Sequence, residues 1–167
     1  MRQRAKLSLF FRRQFRADSL TTWFLRGLRS QHRRRRGPRG NYYEFGVGRC
    51  RTLIRYLKAL QLHCELEGVD FYSHHIFAFD SFAGLPPTDS PRDAHPGWHE
   101  GQFKVSLAEV RARIGSRIDL DRGTVRFIEG FFERSLTPEL ARELAEFPPS
   151  IVTIDVDYYT STKAALD

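Results

Sequence analysis

The sequence predicts an α/β fold: a Rossmann-like parallel sheet with helices on both faces. Short apolar runs alternate with stretches of helical period from residue 42 onward. The second run is apolar almost throughout, as a strand covered on both faces should be. Each run ends in glycine or an acidic side chain, and in such sheets ligands bind beyond the carboxyl ends of the strands.

Tyr42 to Val47 reads as a first strand closed by a glycine turn. Leu53, Ile54, Leu57 and Leu60 place an apolar stripe on a helix from Thr52 to about His63. His75 to Asp80 is the second strand, and residues 81–105, rich in Pro, Gly, Asp and His, form a long loop. Ser106-Leu107-Ala108-Glu109 is a capping-box pattern opening a helix to about Ile118. Val125 to Ile128 is the third strand. Thr137-Pro138 pairs a capping residue with proline at the first helical position, for a helix to about Glu146. Ile151 to Val156 is the fourth strand, and Thr160-Ser161-Thr162 begins a last helix.

The 167 residues suffice for one ordinary domain with a real core, and the net charge of +7 is unevenly spread. Residues 1–40 hold 12 Arg and one Lys against Asp18, so the body from 41 to 167 is acidic by five charges. The division expected is a basic N-terminal arm and linker over 1–40 and a partial catalytic domain over 41–167. Within the arm, residues 7–28 mix apolar groups with arginines. They read as a solvated leader or connector, or as amphipathic helix packed on the body or a partner. Arg33 to Gly40 reads as a linker, because like charges repel and Gly and Pro break helices. An Arg-rich arm poor in acids also fits a mitochondrial-type presequence, or a module that binds acidic partners or nucleic acid. The acidic body argues against nucleic acid as the main substrate. No apolar run approaches the roughly 20 residues of a membrane span. Two cysteines, Cys50 and Cys64, make neither a disulfide scaffold nor a metal spacing, so a reducing, cytoplasmic setting is expected.

The strand ends carry the chemistry. In Glu44-Phe45-Gly46-Val47-Gly48-Arg49, the bare glycines let main chain approach a ligand, or simply close a tight turn. A nicotinamide dinucleotide is the rival reading. It wants a third glycine where Arg51 stands and an acid about 20 residues on, whereas Asp80 is 32 beyond Gly48. Asp80 suits two adjacent ribose hydroxyls, or a turn cap beside Ser81. Asp155 and Asp157, two apart on an extended strand, would share one face. Their hard oxygens suit Mg²⁺ or substrate, with Asp157 as a turn cap the simpler alternative. His95 and His99 in the long loop are candidate bases.

These motifs together resemble the macrocin O-methyltransferase (TylF-like) family of class I S-adenosylmethionine-dependent methyltransferases. The residues that carry it are Glu44 to Arg49, Phe79-Asp80-Ser81-Phe82-Ala83-Gly84-Leu85-Pro86 and Trp98 to Phe103. Ile128 to Leu136 and Ile154-Asp155-Val156-Asp157-Tyr158-Tyr159-Thr160-Ser161-Thr162 complete it. The resemblance implies a class I methyltransferase sheet and Mg²⁺-assisted transfer of a methyl group from S-adenosyl-L-methionine. The acceptor would be a hydroxyl on a small molecule, a sugar or other natural product. By that analogy Glu44, Gly46 and Gly48 face the methionine part, and Asp80 takes the ribose. Ser81, Phe82 and Gly130 lie near adenosine, and Asp155 is a metal ligand with Asp157 beside it. The catalytic residues expected are Asp155 and His95, no membrane is involved, and the family allows a homo-oligomer. Arg49-Cys50-Arg51 departs from the small residues usual after the turn. On the same resemblance the chain is C-terminally truncated, its metal site short of ligands, and the partial chain can fold without being active.

Overall fold

The computed structural model describes residues 19–34 and 41–167, with side chains of the first stretch described to residue 32. In chain order the elements are α1 (Ser19–Arg34), β1 (Tyr42–Phe45), α2 (Arg51–Glu67), β2 (Ile76–Asp80) and α3 (Leu107–Gly115). Then come β3 (Val125–Glu129), α4 (Phe132–Ser135), α5 (Pro138–Leu144), β4 (Ile151–Ile154) and α6 (Tyr159–Leu166). All strand pairs are parallel, in the order β3-β2-β1-β4. Strand order therefore reverses between β1 and β4, and the carboxyl ends beside that point are where a crevice opens.

Alternation along the strands builds two cores. Tyr42 of β1 joins Ile76 and Ala78 of β2 and Ile151 of β4 in one layer, under α1, α2 and α3. Tyr43, Phe45, Phe77 and Phe79 face the other layer, where Phe132 and the apolar side of α5 and α6 meet them. Phe45 stacks on Phe79 with centroids 4.4 Å apart, and Tyr42 stacks on Tyr56 at 3.8 Å.

Part of the basic arm belongs to this core. α1 lies along α2, and its Phe24 and Leu28 are 1% and 2% exposed. Phe24 meets Tyr42 and Tyr56 edge-on. So residues 19–28 take the packed-helix alternative, because Leu20, Phe24 and Leu28 share one helical face, while Trp23 stays exposed. The helix runs to Arg34, two arginines into the expected linker. Residues 1–18 and 35–40, with the rest of the arm's expected roles, lie outside the described residues.

Two helix starts follow their predicted signals, whereas α2 runs on to Glu67, α3 stops at Gly115 and α6 begins at Tyr159 without a side-chain cap from Tyr158. Ser106 Oγ accepts from Glu109 N–H at 3.3 Å, while the Glu109 carboxylate pairs with Arg113 rather than reaching back. Thr137 caps α5 ahead of Pro138. β4 is shorter than expected and stops at Ile154. Asp155 N–H still bonds Phe45 O at 2.9 Å, but β1 has by then turned into its glycine loop and offers no further ladder. The two-residue alternation that was to align Asp155 and Asp157 therefore does not extend to Asp157. Among the described residues no helix is long and apolar enough to cross a membrane.

Candidate active site

The four strand ends converge. One cavity is lined by Gly46 and Gly48 after β1, Asp80 and Ser81 after β2, Gly130 after β3, and Val156, Asp157 and Tyr158 after β4. Phe103 and the Gly84-Leu85-Pro86 turn close it on the loop side. The enclosed space is about 110 Å³ and opens to solvent. Among the described residues its acidic lining is Asp80, Glu133 and Asp157, and no Lys, Arg or His lines it.

Asp80 holds the glycine turn. β2 points its even-numbered residues toward α2, so the Asp80 carboxylate lands under the turn that starts that helix. Oδ2 accepts from Val47 N–H at 2.8 Å and Gly48 N–H at 2.9 Å, and Oδ1 accepts from Phe82 N–H at 2.7 Å. A carboxylate offers about four acceptor positions, so one remains open on Oδ1. The turn itself needs unusual backbone: Gly46 has φ +85° and Gly48 φ +46°. Cys50, which caps α2, has φ +62°, so the third left-handed position after β1 is Cys50 and not Arg51.

Glu44 lies behind the turn and is 0% exposed. Two residues apart on β1, Tyr42 and Glu44 face the same layer, and Tyr42 Oη–H donates to Glu44 Oε2 at 2.6 Å. Thr153 Oγ1, across the β1–β4 pairing, lies 2.9 Å from Tyr42 Oη. Glu44 Oε1 is buried with no partner. Burial pushes the Glu44 carboxyl up to about 8, with Asp155 and Asp80 adding to the rise and the Tyr42 bond opposing it. The unfolded chain loses this proton near 4.5, while the folded protein keeps it to about 8. Folding therefore binds a proton in that window, and stability falls as pH rises through it. Thermal melts at pH 5 and pH 8 check this: Glu44→Gln is expected to show a smaller loss of Tm between the two than the native chain. An unchanged difference would remove Glu44 as the titrating group.

The remaining expected site residues divide. Ser81 lines the cavity at the loop turn, its Oγ accepting from Ala83 N–H at 3.2 Å and donating to Gly84 O at 2.9 Å. Gly130 lines it with φ +135°. Phe82 does not: its ring is 4% exposed, turned into the core beside Phe127. Its backbone, at φ +52°, makes the turn. Asp157 lines the cavity, but Asp155 lines a groove on the α1 side with Leu20 and Trp23. His95 and His99 lie in an outer cleft. Gly97 N–H donates to His95 Nδ1 at 3.3 Å, so in the neutral ring Nε2 carries the proton. Among the described residues no group of three His, Cys, Asp or Glu could hold a metal. The donors present do not by themselves make a Mg²⁺ site. Sequence reading did not single out Tyr158, Phe103, Phe131 or Glu133, although each adjoins or lies within a motif it quoted.

The comparisons with known proteins follow this geometry. The family described as Macrocin-O-methyltransferase (TylF) matches residues 32–167. Among solved structures the chain is similar to CalS11, a calicheamicin methyltransferase, with a TM-score of 0.62 and 24% identity. The likeness covers 96% of this chain and 61% of that one, so the chain spans less than two thirds of CalS11. No curated protein matches.

Proposed function

Because the chain belongs to the macrocin O-methyltransferase (TylF) family, we propose that its cavity binds S-adenosyl-L-methionine and serves O-methyl transfer to a small hydroxylated molecule. The observation that carries this reading is the charge of the cavity. Asp80, Glu133 and Asp157 line it without a basic residue among the described residues. A sulfonium nucleoside with its ammonium group carries positive charge and is favoured there. A nicotinamide dinucleotide carries a pyrophosphate, which would face three carboxylates. The turn amides of Val47 and Gly48 that would cradle it are already bonded to Asp80. This disfavours the oxidoreductase reading.

Within the proposal, Gly48 leaves room for the methionine part, and the open position on Asp80 Oδ1 takes one ribose hydroxyl. Ser81 and Gly130 border the adenosine. Glu44 supports the turn from behind. The acceptor oxygen attacks the methyl carbon, the S–CH₃ bond breaks, and its electron pair stays on sulfur to give S-adenosylhomocysteine. Holding oxygen, carbon and sulfur in line is the main contribution asked of the protein. The hydroxyl proton goes to a carboxylate at the β4 end, with Asp157 in the cavity wall and Asp155 behind it as the candidates; His95 would reach it only from the outer cleft. Mg²⁺, which the resemblance implies, would draw on Asp155 and Asp157. With no third ligand among the described residues, no step is assigned to it.

Calorimetry with S-adenosylhomocysteine tests the donor site. Saturable binding is expected, with NAD giving none. Heat from NAD and not from S-adenosylhomocysteine would overturn the assignment.

A further inference from the structure

Asp157 and Tyr158, two residues of the cavity wall, lie in the short turn between β4 and α6. A helix start leaves its first N–H groups without partners inside the helix, and a charged oxygen placed there is stabilising. The residue before the helix normally supplies it. Here that residue is Tyr158, which makes no side-chain cap. A tyrosine ring that lines the cavity cannot also fold back onto the helix start.

The cap comes from the loop between β2 and α3. Asp93 in that loop is 5% exposed. Its Oδ1 accepts from Thr160 N–H at 3.2 Å, and its Oδ2 accepts from Thr160 Oγ1–H at 2.6 Å and Thr88 Oγ1–H at 3.2 Å. Asp93 therefore caps α6 from 67 positions away. Burial raises the Asp93 carboxyl, but the bonds from Thr160 and Thr88 outweigh it and hold the group below the usual carboxylate range, so the cap is charged at neutral pH.

The loop meets the turn at further points and is itself braced. The Arg92 guanidinium lies 4.7 Å over the Tyr159 ring, and the Trp98 ring lies 5.7 Å from that of Tyr158. Arg92 N–H donates to Ser90 Oγ at 3.3 Å and Asp93 N–H to Ser90 O at 3.0 Å. Leu85 N–H donates to Gln102 O at 2.9 Å and Gly101 N–H to Leu85 O at 3.0 Å, which joins the two ends of the loop.

Resting on the donor reading of that cavity, we propose that Asp93 is a positioning residue for donor binding. Through Thr160 it holds Asp157 and Tyr158 in the cavity wall, so the donor binds where loop and α6 are joined. Such coupling is reciprocal, and a bound donor tightens the joint in turn.

The test compares the native chain with Asp93→Ala, Asp93→Asn and a control, Asp119→Ala. Asp119 accepts from Asp121 N–H at 3.0 Å and caps the turn at 120–122, so its loss removes a comparable cap that does not line the cavity. S-adenosylhomocysteine binding is read by calorimetry, and the joint by hydrogen exchange at the Thr160 amide. Each alanine variant is expected to lower Tm by no more than about 4 °C. Asp93→Ala is expected in addition to weaken S-adenosylhomocysteine at least about tenfold, while Asp119→Ala stays within about twofold of the native Kd. Thr160 exchanges faster in Asp93→Ala and loses the added protection that S-adenosylhomocysteine gives it in the native chain. Asp93→Asn, with an acceptor oxygen but no charge, falls between and carries the comparison if the alanine variant does not fold. The proposal is overturned if the Asp93 variants bind as the native chain does, if Asp119→Ala weakens binding equally, or if Thr160 exchange is unchanged. Should the native chain bind no S-adenosylhomocysteine, the donor reading fails. The joint is then decided by exchange alone: a faster Thr160 in the Asp93 variants upholds it and an unchanged one overturns it.

Discussion

Asp80→Asn is expected to cost about 3 kcal/mol of stability and to weaken S-adenosylhomocysteine binding by about 10- to 100-fold. The change is nearly isosteric, so the effect follows from hydrogen-bond inventory alone. Asp80 accepts from Val47 and Gly48 N–H on one oxygen and from Phe82 N–H on the other. An asparagine has one acceptor oxygen and one NH₂. With its oxygen toward the glycine turn, the NH₂ faces the Phe82 N–H, donor against donor. Reversed, it faces two. The bonds that survive lose their charge, and bonds to charged groups contribute about 1.5–3 kcal/mol each. Binding suffers for a linked reason. The glycine turn loses its anchor, and the acceptor position left for a ribose hydroxyl on Oδ1 becomes an NH₂ or moves. Urea unfolding measures the first effect and calorimetry the second. An Asn variant that unfolds and binds like the native chain would show that the carboxylate neither holds the turn nor meets the ligand.

The same residue shows how far the sequence could be read. Asp80 announces itself as a polar end to an apolar strand, and alternation assigns its face. That its oxygens would be taken by turn amides 32 and 33 positions earlier is a matter of strand register, which sequence does not display. Glu44 stood out as a candidate for its place before Gly46, but it lies behind the cavity wall rather than in it. Its surroundings depend on register: Thr153 of β4 lies opposite it, and Tyr42, two residues earlier on β1, bonds both the Glu44 carboxylate and Thr153 Oγ1. The elements themselves were legible because their periods and caps are local signals: Ser106, Thr137 and Pro138 mark helix starts wherever they fold. The inward direction of the Phe82 ring was not legible, because a motif position says nothing of side-chain direction and the left-handed φ sets it. The pairing of Asp155 with Asp157 failed for a related reason. It assumed a strand two residues longer than the one β1 can partner. Trp98 and Asp93 lay in a loop without period, and only tertiary contacts with Tyr158 and Thr160 give them roles.

The two glycines of the turn look equivalent in sequence, and the structure expects opposite outcomes from them. A Cβ on Gly46 would lie 2.2 Å from Asp155 O and 2.9 Å from its carbonyl carbon. Both are main chain, and Asp155 is itself held by its N–H bond to Phe45 O, so nothing flexible can give way. At φ +85° an alanine is also strained whatever the space. Gly46→Ala must therefore push the end of β4 from β1, at a cost above about 3 kcal/mol, enough to unfold a marginal domain. A Cβ on Gly48 meets nothing within 4 Å, and φ +46° lies at the edge of the left-handed region that L-residues enter for about 1–2 kcal/mol. Gly48→Ala should fold with a modest drop in Tm, yet its methyl group stands in the cavity where the methionine part of the donor is placed. Its expected signature is S-adenosylhomocysteine binding weakened at least about tenfold in a folded protein. Melting curves separate the first variant from the native chain, and calorimetry separates the second. Equal stability losses for the two would mean that the close approach of Gly46 to β4 is not what fixes this rim. Native-like binding by Gly48→Ala would place the donor away from the turn.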